Sequence, residues 1–388
     1  MASEDHTATG PDMRFAGASL TIDLDALKAN YAGLAAVCAP ALTAGVVKAD
    51  AYGLGIDRVA PALAAAGCTR FFTAFAEEGV AVRRAVPNAT IYVFNGLFSE
   101  EGGPLYRDER LIPVLNSTAD LRMWETFCGV SGERLACAIN VDTGMNRLGL
   151  SVEEALAFAE ENALTRALEP VLLLSHLACA DDALHPMNRR QLESFQRVAA
   201  AFPGIESSLV NSAGILLGKE FHLSLTRPGI ALYGGAIAPG MRNPMRTVVT
   251  AEARIVQIRH ARAGEAISYG ASHTVERDTI VAVATIGYAD GYPRSGSSAG
   301  VSLRQLEGPH GHGFIQGRRV PILGRVTMDL TMFDITDLGP DMVAKGDYIE
   351  LFGPNLPLDE AATAAGTISY ELLTALGRRY HRRYVEGG

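Results

Sequence analysis

The chain of 388 residues is 48% hydrophobic and 20% charged, enough to bury a large core and to build a barrel-sized domain with a smaller companion. A formal net charge of -9, with no block rich in lysine and arginine, excludes a nucleic-acid partner, because neutralising phosphates takes a basic face. Five scattered cysteines (Cys38, Cys68, Cys128, Cys137 and Cys179) lack metal-type spacing and read as reduced thiols of a cytoplasmic protein.

Residues 1–13 are polar and mildly acidic, and read as a flexible tail with neither a secretory signal nor a membrane anchor. Eight short apolar runs follow, at 42–48, 70–75, 90–96, 111–116, 135–142, 170–177, 207–212 and 229–234. Stretches with helical spacing separate most of them, such as 57–66, 77–85 and 188–202. This strand and helix alternation predicts an α/β fold, a (β/α)8 barrel over residues 14–240. After residue 241 the texture changes to β-branched segments at 247–259, 279–288, 320–335 and 347–352, joined by glycine and proline turns. They predict a second, mostly β domain over 241–388, closed by a helix over 368–384 whose arginine-rich end is a solvated face.

In such barrels the reactive groups gather at the carboxyl ends of the strands, where Lys48, Asn95, Asn116, His176, Asn211 and Ser212 fall. Lys48 closes an apolar run and opens into the glycine-rich turn Tyr52-Gly53-Leu54-Gly55. Loss of hydration at a buried strand mouth lowers an ammonium pKa toward the range a Schiff-base amine needs, which makes Lys48 a candidate anchor for an aldehyde cofactor. The window alone equally suits a lysine snorkelling out of an apolar layer. Gly53-Leu54-Gly55 lacks the third glycine of a dinucleotide loop, and His310-Gly311-His312 lacks a third metal ligand, so no metal is expected.

Four further segments decide the matter: 140–149 (NVDTGMNRLG), 174–178 (LSHLA), 227–234 (RPGIALYG) and 267–270 (ISYG). With the lysine segment they resemble the fold-type III pyridoxal-phosphate enzymes, and among these the alanine racemase family, over about residues 20–380. The resemblance implies pyridoxal-phosphate-dependent, two-base racemisation of L-alanine and D-alanine. On that resemblance Lys48 would bind the cofactor covalently, while Tyr52, Ser212, Tyr370 and the amides of Gly229 and Ile230 would hold its phosphate. Asn211 and His176 join the cofactor site, and Arg227 lies beside the pyridine nitrogen. Lys48 and Tyr269 form the base pair, Tyr269 coming from the second copy of a homodimer. Arg147 and, from the partner subunit, the Met328 amide would bind the carboxylate of a small amino acid, and Asp181, Tyr288, Arg294, Arg325, Asp329, Ile368 and Tyr370 would support or narrow the passage.

One position departs from the family. Many members carry a lysine seven positions before the carboxylate-binding arginine, modified to a carbamate whose charge orients it; here that position is Asn140. A neutral amide cannot replace the charge, so a chloride near Asn140 and Arg147, or an unaided hydrogen bond from Asn140, is expected. The competing readings are an amino-acid decarboxylase of the same architecture, which typically has an acid where Arg227 stands, and a non-catalytic pyridoxal-phosphate carrier, which resembles the barrel alone.

Overall fold

The computed structural model of the chain describes residues 8–160, 168–238, 240–299 and 311–387. It divides into two compact units, one of residues 27–232 and 236–244, the other of residues 1–26, 233–235 and 245–388. Residues 1–7 of the expected tail lie outside the described residues, and Ala8–Thr9 pairs antiparallel with the C-terminal strand.

In the first unit seven parallel strands follow one another around the sheet: Gly45–Val46, Arg70–Thr73, Thr90–Val93, Leu111–Leu115, Ala136–Asn140, Glu169–Leu174 and Glu206–Ser208. The expected eighth strand at 229–234 is instead a 3-10 turn, Ile230–Tyr233. Its apolar run reflects burial rather than strand geometry, because Ile230, Ala231, Leu232 and Tyr233 are all inaccessible. Leu225–Thr226 closes the barrel in its place. It pairs parallel with Leu42–Thr43, while Ser224 N donates to Ser207 O at 3.0 Å and Arg227 N to Val210 O at 3.0 Å.

The helices wrap the sheet by burying one stripe. In Pro186–Ala200 the buried residues Asn188, Gln191, Leu192, Phe195 and Val198 recur every three or four positions, and Pro186 sits where a helix start needs no amide hydrogen. Inside the barrel, Phe72 stacks between Tyr92 (4.7 Å between centroids) and Phe94 (5.0 Å), and Arg70 pairs with Glu206 at the strand starts. Buried aromatic packing thus forms the floor on which the strand-end residues stand.

The second unit is a nine-stranded, mostly antiparallel sheet. Its longest strand, Val249–Ala261, pairs with Ala18–Asp23, Thr279–Ala284 and Tyr348–Phe352, with register shifts that let one strand serve different partners along its length. The helix expected over 368–384 is corrected to a short helix, Ser369–Thr374, and a strand, Tyr380–Val385. Tyr380 and Tyr384 are buried four apart, which fits period two as well as a helix; parallel pairing with Ala18–Asp23 decides it. Among the described residues no helix is long and apolar enough to cross a membrane, and the five cysteines are free thiols.

Candidate active site

Lys48 leaves the strand Gly45–Val46 into an unusual turn in which Ala49, Asp50, Ala51 and Tyr52 all have φ between 53° and 57°. Left-handed backbone costs about 1–2 kcal/mol per non-glycine residue, so this run exists only because its surroundings impose it. Ala51 and Tyr52 are buried, Asp50 Oδ1 accepts from Ile56 N at 2.8 Å, and Gly55 N donates to Asp50 O at 2.9 Å. The result aims Lys48 across the strand ends, its Nζ 5.8 Å from the centroid of Phe94. Its side chain is open to the mouth of the barrel, yet the surrounding walls desolvate the amine. That desolvation, then the charge of Arg147, hold its pKa below the ordinary lysine value, with Glu78 opposing them.

Beside it, Ser212 Oγ accepts from Gly229 N at 3.0 Å and from Ala231 N at 3.3 Å. A Cβ at Gly229 would fall 2.2 Å from Tyr52 Oη, so glycine is required for the tyrosine hydroxyl to approach this backbone. Ile230 is buried, and among the described residues nothing accepts from its amide. Asn211 Oδ1 accepts from Gly214 N at 3.0 Å and shapes the same turn.

Arg227 is buried without a carboxylate partner among the described residues. Its guanidinium donates to Ser208 Oγ, to Ser175 O at 2.6 Å and to Leu209 O at 3.4 Å, and lies 5.8 Å from the Phe72 centroid. Burial works against its charge, but three acceptors and the intrinsic basicity of guanidinium keep it cationic. His176 shares this corner. Burial, then the charges of Arg227, Arg147 and Lys48, press its pKa down to about 3, so it is a neutral ring at working pH.

Arg147 sits on the loop that follows Ala136–Asn140. Asp142 Oδ1 accepts from Gly144 N at 2.7 Å and Met145 N at 2.8 Å, and Leu150 N donates to Asn140 O at 2.9 Å. Both amide hydrogens of Asn140 are committed, to Asn116 Oδ1 at 2.9 Å and to Leu148 O at 3.1 Å. Asn116 in turn donates to Phe94 O and Val114 O. Asn140 therefore ties the arginine loop to the neighbouring strand end through both of its amide hydrogens. Exchanging chloride for acetate is expected to leave the KM for the substrate within about twofold, since a displaced hydrogen bond here would cost roughly 1 kcal/mol and more; a larger rise would place an anion beside Arg147.

Sequence reading passed over Gln191, which is fully buried. Its Nε2 donates to His176 O at 2.9 Å and Thr143 Oγ1 at 3.2 Å, and its Oε1 accepts from Ala178 N at 2.8 Å, so one amide locks the histidine and arginine loops together. The available signal was a polar residue on the apolar face of its helix. Asp181, expected at the passage, is exposed on the loop after His176, and Asn95 N donates to Ala74 O at 3.2 Å.

The remaining expected residues belong to the β unit. Tyr269 is 73% exposed on a turn where Ser268, Gly270 and Ala271 all have positive φ. Ser268 Oγ accepts from Arg325 N at 3.1 Å and donates to Arg325 O at 3.2 Å, fastening this turn to the Met328 loop. Tyr288 N donates to Thr327 O at 3.0 Å and Ala289 N to Met328 O at 3.1 Å, an approach only glycine at 287 allows. Arg379 bridges Asp329 (2.8 Å) and buried Asp290 (2.5 Å), and Arg294 opens a 3-10 turn nearby in sequence. Tyr269, Ile267, Thr327, Leu330 and Met332 line an open groove of about 810 Å³, and Tyr288, Met328, Ile368 and Tyr370 are exposed on the same unit. His310 lies outside the described residues, and His312 starts the strand His312–Ile315.

Comparison with known proteins accounts for both units. Residues 22–237 match the family model described as alanine racemase, N-terminal domain, and residues 248–384 match alanine racemase, C-terminal domain. An alanine racemase of Rhizobium meliloti is 52% identical over 97% of this chain and 99% of its own length. A biosynthetic alanine racemase of Agrobacterium fabrum is 51% identical over 94% of this chain and 93% of its own, and a catabolic one of Mesorhizobium japonicum is 43% identical over 96% and 94%. The crystal structure of alanine racemase from Bartonella henselae, with covalently bound pyridoxal phosphate, superposes with a TM-score of 0.88 at 39% identity, covering 95% of this chain and all of that one.

Proposed function

The chain belongs to the alanine racemase family, and from that premise we infer that it interconverts L-alanine and D-alanine with pyridoxal phosphate, supplying D-alanine for peptidoglycan or feeding alanine breakdown. Its own residues fit that cofactor. The orphaned amide of buried Ile230, the Ser212 and Tyr52 hydroxyls, the side-chain-free approach at Gly229 and, in our reading, Tyr370 suit a phosphate without any basic cluster. Lys48, an amine of lowered proton affinity, would hold the cofactor through its aldehyde. When bound, the cofactor supplies an electron-accepting ring that lets the substrate α-carbon give up a proton.

Lys48 Nζ removes or returns that proton on one face, and Tyr269 Oη does so on the other. Arg147 holds the substrate carboxylate with its planar fork, assisted by the Met328 amide of the partner subunit. Asp181, Tyr288, Arg294, Arg325, Ile368 and Tyr370 narrow the passage to small amino acids, with Asp329 bracing it through Arg379. Because His176 is neutral, the cations that ease proton loss from Tyr269 are the arginines.

Arg227 is the observation that carries the choice of reaction. A guanidinium donates hydrogen bonds but is too weak an acid to transfer its proton, so Arg227 would leave a pyridine nitrogen unprotonated and the bound cofactor would be a weak electron sink. That would favour prompt return of a proton to the substrate over side reactions, whereas the decarboxylase reading wants an acid at this place. The exposed Tyr269, Met328 and Ile368 support a homodimer in which each β unit completes the partner's barrel site, and five free thiols support a cytoplasmic setting.

Mixing the full chain, pyridoxal phosphate and L-alanine in deuterated solvent is expected to exchange the α-proton and abolish optical rotation together. Release of carbon dioxide would assign a decarboxylase, and an unchanged substrate would leave only a cofactor carrier.

A further inference from the structure

The helix Ala76–Ala85 starts at Phe75, whose side chain has no acceptor to cap it. Glu78, one turn in, does that work with a single oxygen: Oε2 accepts from Ala74 N at 2.8 Å and Phe75 N at 3.3 Å. Its other oxygen is turned outward from the helix, where Oε1 accepts from Ala49 N at 2.6 Å. Ala49 is the first residue of the left-handed run and the immediate neighbour of Lys48. An ordinary capping glutamate satisfies its own helix; this one spends half its carboxylate on a separate loop, and the amide it reaches is the one that fixes the direction in which Lys48 leaves the strand. Asp50 secures the far end of the same turn on Ile56 N at 2.8 Å.

We propose that Glu78 is a positioning residue for Lys48: its carboxylate clamps the Ala49 amide, holds the left-handed turn in place, and so keeps the lysine amine aimed into the site. The proposal rests on the reading of Lys48 as the cofactor anchor. Glu78 is also the acid that counteracts the loss of charge on Lys48, so its removal acts on the amine as well as on the turn. A structural cap alone would do neither.

Two substitutions separate the clamp from the cap. Glu78→Gln keeps one oxygen for Ala74 and Phe75 but turns its amide nitrogen on Ala49, where two donors then face each other. The double variant Phe75→Ser with Glu78→Ala restores a cap through the serine hydroxyl and leaves Ala49 unmet. In the full chain freed of pyridoxal phosphate, hydrogen–deuterium exchange at residues 48–52 is expected to quicken at least tenfold in both, with exchange in 76–85 unchanged. Uptake of added pyridoxal phosphate, followed by its absorbance, is expected to slow about tenfold, and the pH at which that absorbance changes is expected to shift. Exchange at 48–52 that keeps the wild-type rate in either folded variant overturns the proposal, whatever happens to activity. Failure of the anchor assignment would appear elsewhere, as retained cofactor attachment in Lys48→Ala.

Discussion

Lys48→Ala is expected to abolish the visible absorbance of lysine-bound pyridoxal phosphate and to lower racemisation of alanine by at least about 10⁴-fold, because in the proposed mechanism one side chain serves both as the anchor and as one of two proton carriers. The fold should survive. Lys48 stands at the mouth of the barrel, and its lowered pKa means that the folded state disfavours its charge. The sign follows from linkage: the unfolded chain binds the proton more tightly, so the charged amine costs stability below its folded pKa, and the cost fades as pH rises toward the ordinary lysine value. The alanine variant should therefore melt no lower than the parent at neutral pH, with any advantage shrinking in alkali. Absorbance retained in the variant would mean that another amine carries the cofactor.

What the sequence discloses of this fold, and what it hides, divides along physical lines. Buried parallel strands announce themselves as apolar runs, which is why seven of the barrel strands lie where the runs do. The eighth run misled because Ile230 to Tyr233 is just as buried in a 3-10 turn, and the two-residue strand Leu225–Thr226 is too short to show any period. Tyr380–Val385 was hidden by arginines on a strand whose alternate tyrosines are buried. Ala18–Asp23 precedes the barrel in sequence yet pairs in the β sheet, a long-range choice no local window holds.

At the site, residues with distinctive chemistry were legible, and residues that act through main-chain amides were not. Lys48, Arg147, His176 and Arg227 stand at strand ends or in the loops that follow, where charge is costly and therefore conspicuous. Glu78 and Gln191 look like an ordinary capping glutamate and an ordinary helix glutamine until the amides of Ala49 and Ala178 are brought to them by the fold. The Asn140 position was noticed, but its partner Asn116 comes from another strand and only the barrel register joins them.

For Tyr269→Phe the expected result is a fall in racemisation of about 10²–10⁴-fold with the cofactor absorbance intact, the range that removal of one general acid–base group brings. The ring itself is 73% exposed, and the turn that carries it is fastened by Ser268 to Arg325, not by the hydroxyl, so stability should move by less than about 0.5 kcal/mol. The more telling measurement is exchange of the α-proton in deuterated solvent, run separately with each enantiomer of alanine. Two bases on opposite faces predict an unequal outcome: the enantiomer whose proton faces Lys48 Nζ still exchanges, and the one whose proton faces the missing Oη does not. If both enantiomers slow to the same extent, Tyr269 only supports the site, and a different group must carry the second proton.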